Sequence, residues 1–157
     1  MINLFRGENY FLSNMYPVNI LFNGITFKSS EHLYQAHKAI YLIDFENIVN
    51  CEKGVETKKI AKEMQRNKRI RKDFHEIKDH VMTVAVLLKF GQNKDIKEKL
   101  LATGIEMLIE GNYWHDNYWG NCTCDKCKHI LGVNRLGKTL MSIRTILSFQ
   151  QNLLTKS

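Results

Sequence analysis

The sequence has no apolar run long enough to cross a bilayer: the best, Val81 to Leu88, spans about 8 residues where about 20 are needed. No membrane partner is expected. The first residues, Met-Ile-Asn-Leu-Phe-Arg-Gly-Glu, lack a basic stretch followed by an apolar one, so no secretory signal is expected there. Proline is represented by Pro17 alone, and no Pro/Ser/Gly-rich linker, repeat or low-complexity tract interrupts the chain. The 157 residues are therefore read as a single domain, 1–157, long enough to bury a normal core. Cysteine is scarce, four in all, and three of them are too crowded for a disulfide framework. Together with the missing signal, this points to a reducing, cytoplasmic compartment.

What remains is ordinary in bulk and uneven in detail. A hydrophobic share of 44% and a charged share of 25% are those of a soluble globular protein. The net charge of +7 is concentrated in one segment. Lys58, Lys59, Lys62, Arg66, Lys68, Arg69, Arg71 and Lys72 crowd together with only Glu63 among them. Such density raises the local potential and attracts phosphates, on a nucleotide or on nucleic acid. A solvated helix face accounts for the charge equally well.

The periodicities predict an α+β fold, predominantly helical, with a small N-terminal antiparallel sheet. Residues 1 to 28 read as short strands, with Ile20 and Phe22, then Asn23-Gly24, then Ile25 and Phe27 forming a hairpin. From Ser30, taken as an N-cap, the pattern turns helical, with Leu33, His37, Ile40 and Tyr41 on one face. Further helices are predicted over Thr57 to Asn67, Asp73 to Phe90, Ile96 to Ala102 and Leu136 to Asn152. In the second of these, Phe74, Ile77, Val81, Val84, Leu87 and Leu88 recur at core spacing; in the last, Leu140, Ile143, Ile146 and Leu147 do. Met107 to Glu110 reads as a short strand. Gly111 to Asn134 has no sustained period, and its two Trp and two Tyr argue for a functional loop rather than disorder.

That loop carries Cys122-x-Cys124-x2-Cys127-x-His129, four zinc-competent side chains within eight residues. So tight a set is strained, and His115 or Cys51 would relieve it. The alternative is three reduced thiols packed in a loop, with no metal. No single thiol is marked as a nucleophile by its neighbours.

Three segments gather side chains suited to chemistry. In Ser30-Glu31-His32-Leu33-Tyr34-Gln35-Ala36-His37-Lys38, Glu31, Gln35 and Lys38 fall on one helical stripe. The plainer reading makes Glu31 a helix-dipole charge and Lys38 a solvated lysine. In Glu110 to Gly120, Asp116 stands beside Trp114, Tyr118 and Trp119, aromatic faces of the kind that stack nucleobases. The plainer reading there makes Trp119 a core anchor and Asp116 a turn-former. In Gly132 to Gly137, Asn134 can cap the last helix, whose first amides can meet a phosphate.

The motifs Phe11-Leu12-Ser13-Asn14, Ser30-Glu31-His32-x-Tyr34-Gln35-Ala36-x-Lys38-Ala39, Asp116-Asn117-Tyr118-Trp119-Gly120 and Asn134-Arg135-Leu136-Gly137-x-x-Leu140-Met141-x-x-Arg144 occur in that order. Met82 to Phe90, Leu101-Ala102-Thr103-Gly104 and Leu108-Ile109-Glu110 extend the pattern over nearly the whole chain. This combination resembles the NADAR family (NAD- and ADP-ribose-associated, also called YbiA-like). The resemblance implies that family's fold and an N-glycosidase that needs no cofactor and no metal for its chemistry. One branch acts on a ribosylaminopyrimidinone phosphate of riboflavin synthesis; another removes ADP-ribose from guanine in DNA or RNA. Both substrates join ribose C1′ to an exocyclic amine.

Carried over by position, the resemblance implies Glu31 as general acid/base and Lys38 as Schiff-base nucleophile or phosphate contact. It implies Asp116 as the group that orients water or binds ribose hydroxyls. Asn14, Gln35, Phe74, Tyr118, Trp119, Gly120 and Asn134 fall in its substrate pocket. Arg144 is either a phosphate contact or a structural ion pair. The riboflavin branch carries Trp where this chain has Phe74, which keeps the apolar ring and loses the indole N–H donor. The loop after Trp119-Gly120, glycine-rich in that branch, bears cysteines here.

Overall fold

The computed structural model describes residues 1–154; the last three residues of the span read as one domain lie outside those described. A 3-10 turn (Gly7–Leu12) comes first, followed by β1 (Ile20–Phe22), β2 (Ile25–Phe27), α1 (Ser30–Ala36) and α2 (Leu42–Asn50). Then come α3 (Gly54–Arg66), α4 (Phe74–Gln92), α5 (Lys94–Ala102), β3 (Gly111–Asn112), β4 (Asn121–Cys122) and α6 (Arg135–Leu154). The fold is α+β and mostly helical, with the expected small antiparallel sheet near the N-terminus. Its described residues form two compact units, Asn14–Asn93 and Met1–Ser13 with the chain from Lys94 on.

In the unit Asn14–Asn93, the hairpin pairs Ile20 with Phe27, Leu21 with Thr26 and Phe22 with Ile25. Asn23 and Gly24 both take left-handed φ, 49° and 78°, the twist that matches a tight hairpin. Alternation puts Ile20 and Phe27 in the core and Leu21 in solvent. Helix α1 lies at the centre, packed by α2, α3 and α4, and all seven of its residues are buried. Ile20, Phe27, Leu33, Ala36, Ile48, Met64 and Ala85 form the core around it.

Several expectations shift here. The N-cap is Ser29, not Ser30: its extended backbone lets Oγ accept the His32 N–H at 3.3 Å. The helical face predicted through Ile40 and Tyr41 breaks off because α1 ends at Ala36. The chain instead pairs with the segment before α4, Ile40 N–H bonding Arg69 O at 3.2 Å and Arg71 N–H bonding Lys38 O at 2.9 Å. Ile40 and Tyr41 are exposed, and α2, which no sequence period announced, begins directly after them. On α4, Val84 faces solvent, whereas Phe74, Met82, Ala85, Val86, Lys89 and Phe90 are buried.

In the other unit, the predicted N-terminal strand is replaced by the 3-10 turn, which buries Phe11 and Leu12. The strand predicted over Met107 to Glu110 shrinks to one parallel bridge between Ile2 and Leu108. The loop that follows holds the two-residue parallel pair β3–β4, with Gly111 opposite Asn121 and Asn112 opposite Cys122. Helix α6 buries Leu136, Leu140, Ile143 and Leu147, while Ile146 is off that stripe and 47% exposed. Among the described residues, no helix is long and apolar enough to cross a membrane.

Candidate active site

In the unit Asn14–Asn93, the polar side chains of α1 are buried, which is costly unless each finds a partner. Glu31 is 4% exposed, and its Oε1 accepts a hydrogen bond from Gln35 Nε2 at 2.6 Å. The predicted Glu31–Gln35 stripe is therefore a direct contact across one helical turn. Gln35 Oε1 is buried without a hydrogen-bond partner, an acceptor of the kind a ligand or water satisfies.

Asn14 braces the start of this helix. Its carbonyl accepts the Glu31 N–H at 3.0 Å, its Oδ1 accepts Ser30 Oγ–H at 3.0 Å, and its Nδ2 lies 3.1 Å from Met82 Sδ. Gly54, which opens α3, allows the close approach behind Glu31. A Cβ there would stand 2.6 Å from Met15 Sδ and 3.4 Å from Glu31 Cβ.

Lys38 is not on the helix with Glu31 but in the turn after it, its N–H bonded to Gln35 O at 3.2 Å. Its ammonium sits 5.0 Å from the Tyr34 ring and 5.4 Å from the Phe74 ring, which themselves meet edge-on at 5.3 Å. Burial pushes the Lys38 pKa below its ordinary value, Lys58 and Lys78 push the same way, and Glu31 opposes them. Such an amine is easier to deprotonate than a solvated lysine.

His32 completes the buried set. Its Nδ1 is 2.7 Å from Ser29 Oγ and its Nε2 is 3.1 Å from Cys51 O. Since a carbonyl only accepts, Nε2 carries the proton and Nδ1 accepts from the serine hydroxyl. Burial lowers the His32 pKa, and the Cys51 carbonyl counteracts it in part.

The other unit treats its predicted residues differently. Asp116 Oδ1 accepts the N–H groups of Tyr118 at 3.1 Å and Trp119 at 2.9 Å, the turn-forming role. Tyr118 and Trp119 stack edge-on, centroids 5.1 Å apart, and both are half-buried. Gly120 is demanded by packing, since a Cβ would lie 2.1 Å from Glu110 O. Asn134, at φ 53°, accepts the Glu110 N–H at 3.0 Å and donates to Leu108 O at 2.8 Å. Both ends of its amide are thus committed to backbone groups. The first amides of α6 are not open to a phosphate: Arg135 and Leu136 donate to Tyr118 O and Trp119 O, each at 3.0 Å. Arg144 is buried and donates to Thr103 Oγ1 at 2.7 Å and Glu106 O at 3.0 Å, a brace between α6 and the turn after α5. Burial lowers its pKa.

The cysteine cluster forms with His115, one of the two residues expected to relieve the strained set, in place of His129. His115 gathers with Cys122, Cys124 and Cys127, whereas His129 is exposed outside the group. Burial pushes the Cys127 thiol up to about 11, with hydrogen bonding to Cys122 and Cys124 adding to it. Cys51 lies in the unit of α1, its thiol 3.3 Å from Asn47 O.

The basic segment is partly neutralised within its own unit. Arg69 Nη1 pairs with Asp44 at 3.0 Å and Nη2 with Glu63 at 3.3 Å, while Arg71 bonds Asp73 at 2.6 and 2.7 Å. Lys59, Lys62 and Arg66, with Gln65, line an open depression on α3. Tyr34, Ser29 and Gly54 are site neighbours that sequence reasoning did not single out. Only Tyr34 had a signal, its place between Glu31 and Lys38.

Fold and site together define a small α+β domain built on a buried acid–amide pair with a desolvated lysine next in the chain. The chain belongs to the NADAR domain family, whose match spans residues 4–148. It is 37% identical over 134 residues to an N-glycosidase of Nostoc punctiforme, covering 84% of this chain and 81% of that protein. It is 32% identical to the N-glycosidase YbiA of Escherichia coli, covering 87% and 79%. A riboflavin biosynthesis protein of Vibrio vulnificus is 35% identical over 87% of this chain, which spans only 35% of that longer protein. The solution structure of E. coli YbiA superimposes with a TM-score of 0.80 at 29% identity, over 96% of this chain and 89% of that one.

Proposed function

We propose that the protein is an N-glycosidase that hydrolyses the bond between ribose C1′ and an exocyclic amine, with ADP-ribosyl-guanine in nucleic acid as the leading substrate. The observation that carries this reading is the buried Glu31–Gln35 pair with Lys38 in the turn that follows, in a chain whose relatives are named N-glycosidases. In the direct route, the C1′–N bond breaks through an oxocarbenium-like state. Glu31 protonates the departing amine and takes a proton from the water that adds to C1′. The products are the free amino-base and the sugar with a C1′ hydroxyl.

In the second route, the ribosylamine opens to an imine and neutral Lys38 adds to C1′, expelling the amino-base. Water then hydrolyses the Lys38 imine and releases the sugar aldehyde, which recloses. The depressed Lys38 pKa supports this route. The aromatic rings of Tyr118 and Trp119 suit a base, and Asp116 acts through the turn it holds.

The basic face of α3 favours a substrate carried on nucleic acid. A second reading, hydrolysis of a ribosylaminopyrimidinone phosphate, is favoured by the likeness to the Vibrio riboflavin biosynthesis protein. Incubation with ADP-ribosylated guanine DNA and with the pyrimidinone phosphate decides between them. Release of ADP-ribose from the first alone is expected; turnover of the second alone would replace the leading substrate. Turnover of neither, with ADP-ribose still bound, would make the domain a binding module.

A further inference from the structure

The loop between β3 and the start of α6 brings together four side chains that the glycosidase chemistry does not use. Cys122 ends β4, and Cys124 and Cys127 follow in a tight turn, where the Cys127 N–H bonds Cys124 O at 2.9 Å and the Ile130 N–H bonds Cys127 O at 2.7 Å. His115, in the segment between β3 and β4, completes the group. Its φ of 66° is a left-handed conformation uncommon for a residue with a side chain. The ring it carries lies with Nδ1 at 3.3 Å from both Cys124 Sγ and Cys127 Sγ. The same residue's backbone N–H points at Cys122 Sγ from 3.4 Å.

The four ligand atoms all lie within 4.8 Å of one another. A tetrahedral zinc with Zn–S of about 2.3 Å and Zn–N of about 2.0–2.1 Å needs separations of about 3.5–3.8 Å. The cluster is therefore close to metal geometry: the two Nδ1–Sγ pairs at 3.3 Å need to open only slightly, and the widest pair needs to close by about 1 Å at most. Three sulfurs and one imidazole are the donors that zinc takes, while calcium and magnesium want oxygen. An N–H donated to a ligand sulfur is also the outer-shell contact that supports a bound thiolate.

We infer that His115 Nδ1, Cys122, Cys124 and Cys127 hold one zinc ion in a closed, four-coordinate structural site. Four protein ligands leave no position for water, so the metal takes no part in hydrolysis. It ties β4 and the cysteine turn to the residue next to Asp116, whose carboxylate holds the amides of Tyr118 and Trp119. The zinc thus braces the aromatic loop. This inference does not rest on the glycosidase reading, because its test reads metal and not turnover.

The test is elemental analysis of the full chain, purified in reductant without chelator, followed by cobalt exchange. We expect one zinc per chain, and a cobalt form with the visible absorption of tetrahedral thiolate coordination. His129→Ala keeps both, whereas His115→Ala and Cys124→Ser lower zinc retention at least tenfold in competition with a chromogenic chelator. If those variants do not fold, protection of the wild-type thiols from alkylation, lost on chelation, reports the same site. A folded wild-type chain that holds no zinc and develops no cobalt spectrum overturns the inference. So does stoichiometric iron or copper in its place, or a disulfide among the three cysteines. Loss of zinc in His129→Ala with retention in His115→Ala overturns the ligand assignment.

Discussion

Gln35 Nε2 donates to Glu31 Oε1 at 2.6 Å across one turn of a fully buried helix. The bond fixes the carboxyl against rotation and leaves Gln35 Oε1 as the unsatisfied group. Glu31→Gln keeps the shape and removes the exchangeable acid/base. Turnover is expected to drop about 10²- to 10⁴-fold, with a thermal midpoint near that of the wild type. Sugar release by the variant at the wild-type rate would end the assignment of Glu31.

Lys38 separates the two routes. Its lowered pKa enlarges the neutral fraction at a given pH. If the amine attacks, the rate should rise with pH and level off below the range of a solvated lysine, about 10.4. Borohydride added during turnover should trap a sugar adduct on the wild-type chain and none on Lys38→Arg, since a guanidinium does not form the imine. Equal trapping in the variant would remove Lys38 as the nucleophile, and no trapping in either would favour direct hydrolysis.

The buried neutral His32 makes stability sensitive to acid. Its folded pKa lies below the unfolded value of about 6.5, so below that pH the unfolded chain takes up the proton first. The His32 contribution is fully present above about 6.5 and is lost as pH falls from there towards the lowered folded value. Denaturant midpoints measured downward from pH 7.5 should fall more steeply for the wild type than for His32→Gln. Parallel curves for the two proteins would refute the assignment.

Gly120→Ala places a methyl 2.1 Å from the carbonyl oxygen of Glu110. Backbone cannot give way as a side-chain tip can, so a destabilisation of about 1–3 kcal/mol or more is expected. Urea titration gives the value. A change within error would mean that β3 and the loop after it shift at little cost.

Lys59, Lys62 and Arg66 share the depression on α3. Changing all three to Gln should raise KM for ADP-ribosylated DNA roughly 10- to 100-fold at moderate salt. The same change should leave KM for a free ADP-ribosyl nucleoside nearly unaltered. Equal effects on both substrates would show that this face does not meet the nucleic acid.

Local chemistry was enough to predict some elements. The hairpin at Asn23-Gly24 follows from alternation and a turn dipeptide, and α4, α5 and α6 follow from sustained helical spacing. The contact between Glu31 and Gln35 was legible too, because i,i+4 neighbours on a helix meet whatever the rest of the chain does. By contrast, α2 is not predicted, because its inward stripe is only Phe45, Ile48 and Val49, and Leu42 and Ile43 beside it are exposed. The 3-10 turn at Gly7–Leu12 carries no short-range period of its own, so the sequence predicts short strand there instead.

The sequence by itself determined the helix-rich α+β class and the family, and it marked out the residue types of the candidate site. These depend on neighbours within about one helical turn or on the order of motifs along the chain. Only the tertiary structure decided what each polar group is used for. It placed Lys38 in a turn against two aromatic rings, and committed both ends of Asn134 and Nη1 of Arg144 to backbone and threonine partners. It also put His115, not His129, among the thiols. Nearness in sequence favoured His129, but a left-handed residue seven positions before Cys122 reaches the sulfurs because the β3–β4 pairing returns the chain to them.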